Sequence, residues 1–308
     1  MKKTILITIF IGCLLASCSR KKSEPVPVTR LDLALRAEKL TDPSIERTAA
    51  QKWFEVIGAG ELNDSTLAAY NTRRIEKFYA GVDSTWTQGR TDSLGEVIGD
   101  IYAKLGEMFP DMQLPRPIGV ISPFNQSIII ADSLVFIGLN HYLGGEYPFY
   151  QYFPVWMRRD KNPARVGENL TEAIVRTNFP LPHEDDVLSE MLYEGAILEI
   201  MDRVIGEEAL PWTEEQLDFL EENEKRIWDK MLSDRLVFST DDAVHRSLFS
   251  PGVSTSIISQ EVPARAGSFI GWKIVRSRLN NRDVDEKVML SREWLTDLEA
   301  LREARYQP

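Results

Sequence analysis

Two glutamates on consecutive predicted helices are the residues best placed for chemistry. Glu172 lies in the segment 169–179 (NLTEAIVRTNF), and Glu194 lies in the segment 188–200 (LSEMLYEGAILEI). In zinc peptidases, the pattern H-E-x-x-H puts two histidine ligands on one helix face, and the glutamate between them activates the metal-bound water. Residues 171–175 (TEAIV) occupy that frame, with Glu172 at the position of the base. Glu194 lies on the next helix, where a third ligand would be expected.

The frame nevertheless lacks its metal ligands. Val175 stands where one histidine would be and has no lone pair to offer a metal, and Thr171 at the other position is a poor ligand for zinc. The chain has three histidines, and no two of them have ligand spacing: His141, His183 and His245. No G-x-S-x-G motif and no glycine-rich phosphate loop is present. We therefore predict no catalytic residue, no metal and no cofactor.

Three residues are left as candidates for a degenerate site: Glu172, Glu194 and Arg265. Arginines are the natural partners of two such carboxylates, and either Arg176 or Arg265 is expected to bind them, with Arg265 pairing with Glu194. The alternative is a rearranged metal site of Glu172, Glu194 and His183, which would make the protein a metal-dependent hydrolase.

The elements that position these residues follow from periodicity. Apolar residues at helical spacing, with capping signals, predict helices over roughly 43–57, 64–79, 92–109, 165–178, 185–205, 213–236, 240–248, 267–280 and 291–303. Short β-branched runs predict three strands over 118–122, 127–131 and 134–139, in a small antiparallel sheet. The alternating segment 30–35 is either a short strand or the start of a helix. The fold class is α+β, a mostly helical single domain.

An aromatic segment lies between the sheet and the later helices. Residues 141–156 contain His141, four tyrosines, two phenylalanines, Gly144-Gly145 and Trp156. The composition favours a loop with short helical turns whose rings cover the core. The alternative is an exposed aromatic docking surface, or a binding site for a small envelope ligand.

Two glycines mark a close helix contact. Gly267 and Gly271, four residues apart, put a strip of small residues on one face of a helix. A neighbouring helix, such as that of Glu194, can approach closely there. Trp272 is expected to supply apolar contacts, and Lys273 is expected to be exposed.

The N-terminus resembles a bacterial lipoprotein signal. Lys2 and Lys3 precede an apolar stretch that is too short to span a bilayer, and small residues lead to Cys18. We predict a signal peptide over 1–17, acylation of Cys18, a lipidated tether over 18–29 and the folded domain over 30–308. Cys13 leaves with the signal, so the mature chain has no free thiol.

Charge and composition limit the partners. The 308 residues carry a formal charge of −11. An acidic chain repels phosphates, so nucleic acid is not an expected partner. No later stretch is apolar and long enough to span a membrane, so we expect attachment to a membrane through the lipid alone.

Several motifs together resemble the GldB family of gliding-motility lipoproteins of Bacteroidetes. They are the lipobox, the segments 136–139 (FIGL), 142–144 (YLG) and 148–150 (PFY), the run 191–195 (MLYEG), and the run 263–277 (PARAGSFIGWKIVRS). The family looks related to predicted zinc peptidases with intact motifs. The resemblance implies a degenerate, zincin-like scaffold without catalytic activity.

The function expected from this resemblance is that of a non-catalytic lipoprotein of the cell envelope. It would act in gliding motility or secretion by binding an envelope protein or another envelope component. The expected location is the outer membrane, with the domain facing the periplasm, because the residues after Cys18 lack the acidic run that resembles a surface-export signal.

Overall fold

The structure is a computed structural model that describes residues 23–37, 39–43, 45–123, 126–181, 186–281, 290–291, 294 and 300–308. Cys18, the predicted signal peptide and the first part of the predicted tether lie outside these residues, as does His183. Within the described part of the chain, no helix is both long enough and apolar enough to cross a membrane.

The sheet has four strands and mixed directions, so the predicted three-stranded antiparallel sheet is wrong. The strands are β1 (Thr29–Arg30), β2 (Arg116–Val120), β3 (Ile128–Ala131) and β4 (Leu134–Gly138), in the order β1-β2-β4-β3. Only the β3–β4 hairpin is antiparallel, whereas β2 is parallel to both β1 and β4. Every residue of β4 is buried, as its unbroken apolar run requires of a strand covered on both faces.

Helices make up most of the remaining chain, which confirms the mostly helical α+β class. In chain order they are α1 (Leu31–Ala34), α2 (Arg47–Val56), α3 (Asp64–Tyr70), α4 (Arg73–Glu76), α5 (Tyr79–Thr85), α6 (Gln88–Met108), α7 (Val155–Arg159), α8 (Val166–Asn178), α9 (Val187–Val204), α10 (Glu214–Glu222), α11 (Glu224–Ser233), α12 (Asp242–Phe249), α13 (Ala266–Asn281) and α14 (Ala300–Ala304).

Two predicted helices are divided in the structure. The predicted helix 213–236 breaks at Asn223 into α10 and α11, and the predicted helix 64–79 ends at Tyr70 and resumes as α4. Asn223 has a backbone conformation outside the helical range, with φ −110° and ψ 9°. The segment 30–35 contains both predicted alternatives, since strand β1 runs directly into helix α1.

Helices α9 and α13 cross at two glycines. A Cβ atom at Gly271 would overlap the backbone carbonyl of Met191, and one at Gly195 would overlap the backbone of Gly271. The two backbones are therefore in direct contact, which confirms the predicted close approach to the helix of Glu194. Gly267 does not take part: its face meets Phe249 of α12.

Polar contacts continue this helix pair beyond the crossing. Glu199 of α9 accepts hydrogen bonds from the Trp272 indole at 3.1 Å and from Arg276 Nε at 2.8 Å, both of α13. Trp272 is fully buried, as expected from its place beside the crossing. Lys273 is less exposed than predicted, because its ammonium group pairs with Glu221 at 2.6 Å.

The segment before β1 lies along helix α6. The Val26 amide donates to the Gly95 carbonyl at 2.9 Å, and a Cβ atom at Gly99 would overlap the carbonyl of Glu24. Glycine at these two positions gives the segment room to lie flat on the helix. Residues 24–28, which the sequence assigns to the tether, thus contact the folded domain.

Candidate functional site

A cavity of about 840 Å³ brings the three candidate residues together. Glu172 of α8, Glu194 of α9 and Arg265, which precedes α13, all line it. We call this cavity the cleft. Helix α8 reaches it because its Leu170 and Ile174 face the core, which turns the opposite side of the helix towards the opening.

Arg176 joins the two glutamates. Its Nε donates to Glu172 Oε1 at 2.9 Å, while its two Nη atoms donate to both oxygens of Glu194 at 2.7 and 2.9 Å. Burial alone would lower the pKa of the Arg176 guanidinium, but Glu194 and then Glu172 raise that pKa above its ordinary value. Arg176 was one of the two expected partners. The expected pair of Arg265 with Glu194 is wrong.

The two ligand positions of the predicted peptidase frame do not point into the cleft. Thr171 and Val175 stand at the ligand positions, yet both are fully buried. The Thr171 hydroxyl donates to the Gly167 carbonyl one turn earlier, at 2.8 Å. The two ligand positions therefore lie on the core-facing side of α8, whereas Glu172 between them lines the cleft, and the frame gives no support to a zincin-like arrangement.

A second ion-pair group lines the same cleft. Arg165 Nε lies 2.5 Å from Glu168 Oε2, but the atoms are not aligned for a hydrogen bond, and that oxygen has no hydrogen-bond partner in the described part of the chain. Burial raises the pKa of Glu168 to about 7, although the charge of Arg165 opposes this shift. Asp160 Oδ1 lies 3.5 Å from the same Arg165 Nε atom. Glu168 is thus a buried carboxyl group that titrates near neutral pH.

Arg159 is held by backbone rather than by a carboxylate. Its guanidinium donates to the carbonyls of Trp212 at 2.6 Å and Pro211 at 3.4 Å. Burial lowers the pKa of this arginine. The contact fixes one wall of the cleft to the start of helix α10.

Arg265 and Ser268 form the end of the cleft at helix α13. Arg265 has a left-handed backbone conformation, with φ 65°. Within the described residues, its side chain makes no hydrogen bond or ion pair. Ser268, in the first turn of α13, is 1% exposed, and its hydroxyl has no hydrogen-bond partner there. The sequence reasoning missed Ser268 and Glu168, because Glu168 lies in no motif and Ser268 has no neighbouring residue pattern that indicates chemistry, although it lies within the run 263–277.

A groove of about 580 Å³ continues from the cleft along strand β3. We call it the groove. Ile128, Ile129 and Ile130 line one side of it, and Ala173 of α8 lies on its floor. Glu172, Arg176 and Arg265 are among the residues that line both spaces. The two spaces therefore form one continuous surface.

The aromatic segment 141–156 is divided between the core and the surface. Tyr142 and Tyr150 are buried, and the Tyr150 hydroxyl contacts the Leu143 amide. Tyr152 is 84% exposed and Val155 is 73% exposed. Val155 lines the cleft, so the exposed part of the segment borders its opening.

The histidines have separate surroundings. His245 Nδ1 contacts Glu190, and His141 Nδ1 lies 3.5 Å from the Lys161 ammonium group. His183, which the alternative metal site requires, lies outside the described residues. Among the described residues, no three histidine, cysteine or acidic side chains are grouped as metal ligands would be.

Comparison with known families gives one match. A family model described as gliding motility protein GldB matches residues 25–308. The matched region includes helices α8, α9 and α13, which line the cleft. No match emerged among curated proteins or among solved structures.

Proposed function

The chain belongs to the gliding motility protein GldB family, and from this premise we propose that it is a non-catalytic lipoprotein of the cell envelope that binds a partner protein through the cleft. Cys18 would carry the lipid, and the domain would face the periplasm from the outer membrane. The expected match to the family is confirmed over nearly the whole described chain.

The observation that carries this proposal is the arginine shared by the two candidate carboxylates. Glu194 accepts two hydrogen bonds from Arg176, and Glu172 accepts a third. A general base needs a free lone pair that is directed at the reacting proton. Arg176 occupies both Glu194 oxygens and one Glu172 oxygen, and this fixed ion-pair group supports a cleft that binds a partner rather than one that transfers protons.

Two exposed apolar side chains border the opening of the cleft, and such residues suit a protein partner. Val155 is 73% exposed and Val253 is 74% exposed, and both line the opening. Exposed apolar side chains around a concave site are typical of protein-binding surfaces.

Introducing charge at the opening of the cleft tests the proposal. Cells in which the double variant Val155→Asp and Val253→Asp replaces the natural protein should lose colony spreading, while the amount of protein stays unchanged. Leu232→Asp is the matched control, since Leu232 is 45% exposed on α11 and does not line the cleft. Normal colony spreading in the double variant would refute binding through the cleft.

The lipid anchor needs its own test. Cys18→Ala should abolish incorporation of labelled fatty acid and release the protein from the membrane fraction, because several acyl chains supply about 0.8 kcal/mol for each buried methylene group. Labelled fatty acid in this variant would contradict the assignment.

Metal analysis separates this proposal from the hydrolase alternative. Protein purified without chelators should contain zinc well below one equivalent. Stoichiometric zinc that is lost in Glu194→Gln would instead support the metal site of Glu172, Glu194 and His183.

A further inference from the structure

Strand β3 leaves one edge of the sheet open along the groove. It is the last strand in the order β1-β2-β4-β3, and among the described residues it pairs only with β4. An edge strand presents unpaired N–H and C=O groups that another extended chain can bind. Ile128, Ile129 and Ile130 are partly exposed and line the groove. The open edge therefore faces a preformed channel.

The register shows which backbone groups point outward. The Gly138 amide donates to the Ser127 carbonyl at 2.8 Å, and Ile129 lies opposite Phe136 two residues further along. Hydrogen-bonded and non-hydrogen-bonded pairs alternate in an antiparallel ladder. Ile128 and Ile130 are thus non-hydrogen-bonded residues, and their N–H and C=O groups point away from β4.

The cleft end of the groove is suited to an anion. The Arg265 side chain is unpaired within the described residues, and it lies next to the first turn of α13, a 16-residue helix. The start of a helix favours negative charge through its dipole and its free amides. The buried Ser268 hydroxyl lines the cleft without a hydrogen-bond partner. An unsatisfied buried donor of this kind is rare and indicates a missing partner.

Charge complementarity favours a carboxylate there. Of the four arginines that line the cleft, Arg176 is bound to glutamates, Arg165 contacts Asp160 and Glu168, and Arg159 donates to backbone carbonyls. Arg265 is the arginine without such a contact among the described residues. A carboxylate is the group that an arginine binds best, through two parallel hydrogen bonds.

We propose that the partner inserts an extended segment into the groove as a fifth strand on β3, and that an aspartate or glutamate of this segment binds Arg265 and the start of α13. This inference rests on the proposed function, since it specifies what the cleft binds. Arg265 lines both spaces, so the segment continues past it into the cleft. In this proposal the acidic group is therefore an internal side chain and not the end of a chain, and this can be tested with amidated peptides.

Displayed peptides provide the probe. A library of random 12-residue peptides is selected against the detergent-solubilised full-length protein, and enriched sequences are synthesised with a fluorescent label and a C-terminal amide. We expect an acidic residue at a constant position and residues of high strand propensity beside it. Failure to enrich any peptide, enrichment without an acidic residue, or binding that requires a free C-terminus would overturn the proposal.

Removing the charge from each partner in turn tests the Arg265 contact. Arg265→Gln should weaken binding of an enriched peptide at least tenfold, and an Asp→Asn change in the peptide should weaken it equally. The two changes together should add little, because they remove the same contact. Arg226→Gln is the matched control: Arg226 is exposed on α11 away from the cleft, and its loss should leave binding unchanged.

Two measurements test the strand pairing. Ile130→Pro removes an outward N–H and no ladder bond, so it should weaken binding at least tenfold more than Ile130→Ala, which shares the loss of the side chain. In addition, N-methylation of alternate peptide amides should abolish binding in one register and spare it in the other, whether or not the proline variant folds. Binding that is insensitive to N-methylation would refute the strand.

The outcomes separate this inference from the proposed function. Suppose that the double variant Val155→Asp and Val253→Asp abolishes colony spreading, but peptide binding does not depend on Arg265 or on the β3 edge. The binding function then stands, and the extended acidic segment is refuted. If the double variant Val155→Asp and Val253→Asp leaves colony spreading intact, the proposed function itself fails.

Discussion

Helix α9 has two very different surroundings at neighbouring residues: the close crossing with α13 and the open cleft. At Gly195 and Gly271 their backbones touch, and no side chain fits between them. One residue earlier on α9, Glu194 faces an open cleft and is held by Arg176. The crossing is close because side chains are absent there, whereas the cleft is lined by charged side chains that pair with one another. The comparison shows that the open space is built into the fold, because the same helix pair is close-packed beside it.

The largest expected effect is at the crossing. Gly271→Leu places a side chain where the Met191 carbonyl lies, so the helices must separate. Overpacking costs about 1–3 kcal/mol, and occasionally more, and displacement of backbone puts this position at or above about 3 kcal/mol. Thermal unfolding followed by circular dichroism should show a midpoint lower by about 5 °C or more.

Gly106→Ala is the matched control for this substitution. Gly106 lies in α6, where an added Cβ would meet only the Leu114 side chain, at 3.9 Å. Removal of a helical glycine then stabilises the fold by up to about 1 kcal/mol. An unfolding midpoint of Gly271→Leu at or above wild type would show that the helices are not in contact.

The cleft should be less sensitive than the crossing. Arg176→Met leaves Glu194, whose side chain is 14% exposed, without its cation, and we expect a loss of about 2–3 kcal/mol in the free energy of unfolding. Adding Glu194→Gln should restore part of this loss, since it removes the isolated charge. Denaturant unfolding of the three variants measures the coupling, and strictly additive effects would contradict the bidentate contact.

A smaller, pH-dependent effect is expected at Glu168. The unfolded chain releases this proton above pH 4.5, whereas the folded chain keeps it until about pH 7. Ionisation therefore favours the unfolded state across this interval, and stability falls as the pH rises. Glu168→Gln should remove this loss, with a gain of about 2 kcal/mol at pH 8 relative to pH 5. An equal effect at both pH values would contradict the raised pKa.

The smallest effect is expected at Glu172. Its side chain is 30% exposed, and Arg176 keeps both contacts to Glu194 when Glu172 becomes glutamine. We expect a change of about 1 kcal/mol or less and normal colony spreading. A folded Glu172→Gln protein that does not support spreading would show that this carboxylate acts directly in function.

The helices and the positions of three strands were largely predictable from sequence, whereas the fourth strand and the mixed strand directions were not. Helix α8 was predicted within a residue or two, because Val166, Leu170 and Ile174 repeat at helical spacing. Strand β1 has only two residues and pairs with β2 nearly ninety positions away. Local patterns carry no information on such long-range pairing, so the parallel arrangement of β1, β2 and β4 was missed.

The site was predictable in its members but not in its contacts. The pairing of Glu172 with Arg176 follows from their i, i+4 spacing on one helix. Which arginine reaches Glu194 depends on how α8 and α9 pack, and this is why Arg265 was wrongly chosen. Glu168 lies in no motif, and Ser268 lies in the run 263–277 without a pattern that indicates chemistry, so their roles follow only from burial.

The docked segment before β1 determines how mechanical load enters the domain. Four residues lie between Cys18 and Ser23, and the five Cα–Cα steps of a fully extended chain span about 17 Å. With Cys18 acylated, a pull on the membrane anchor reaches the chain where Val26 is bonded to Gly95 and then passes along β1 into the sheet. Force along a strand axis loads the hydrogen bonds together in shear instead of opening them one by one. A lipid on Cys18 would thus be joined to the folded domain by a short segment, and the connection between anchor and domain would stretch little under load.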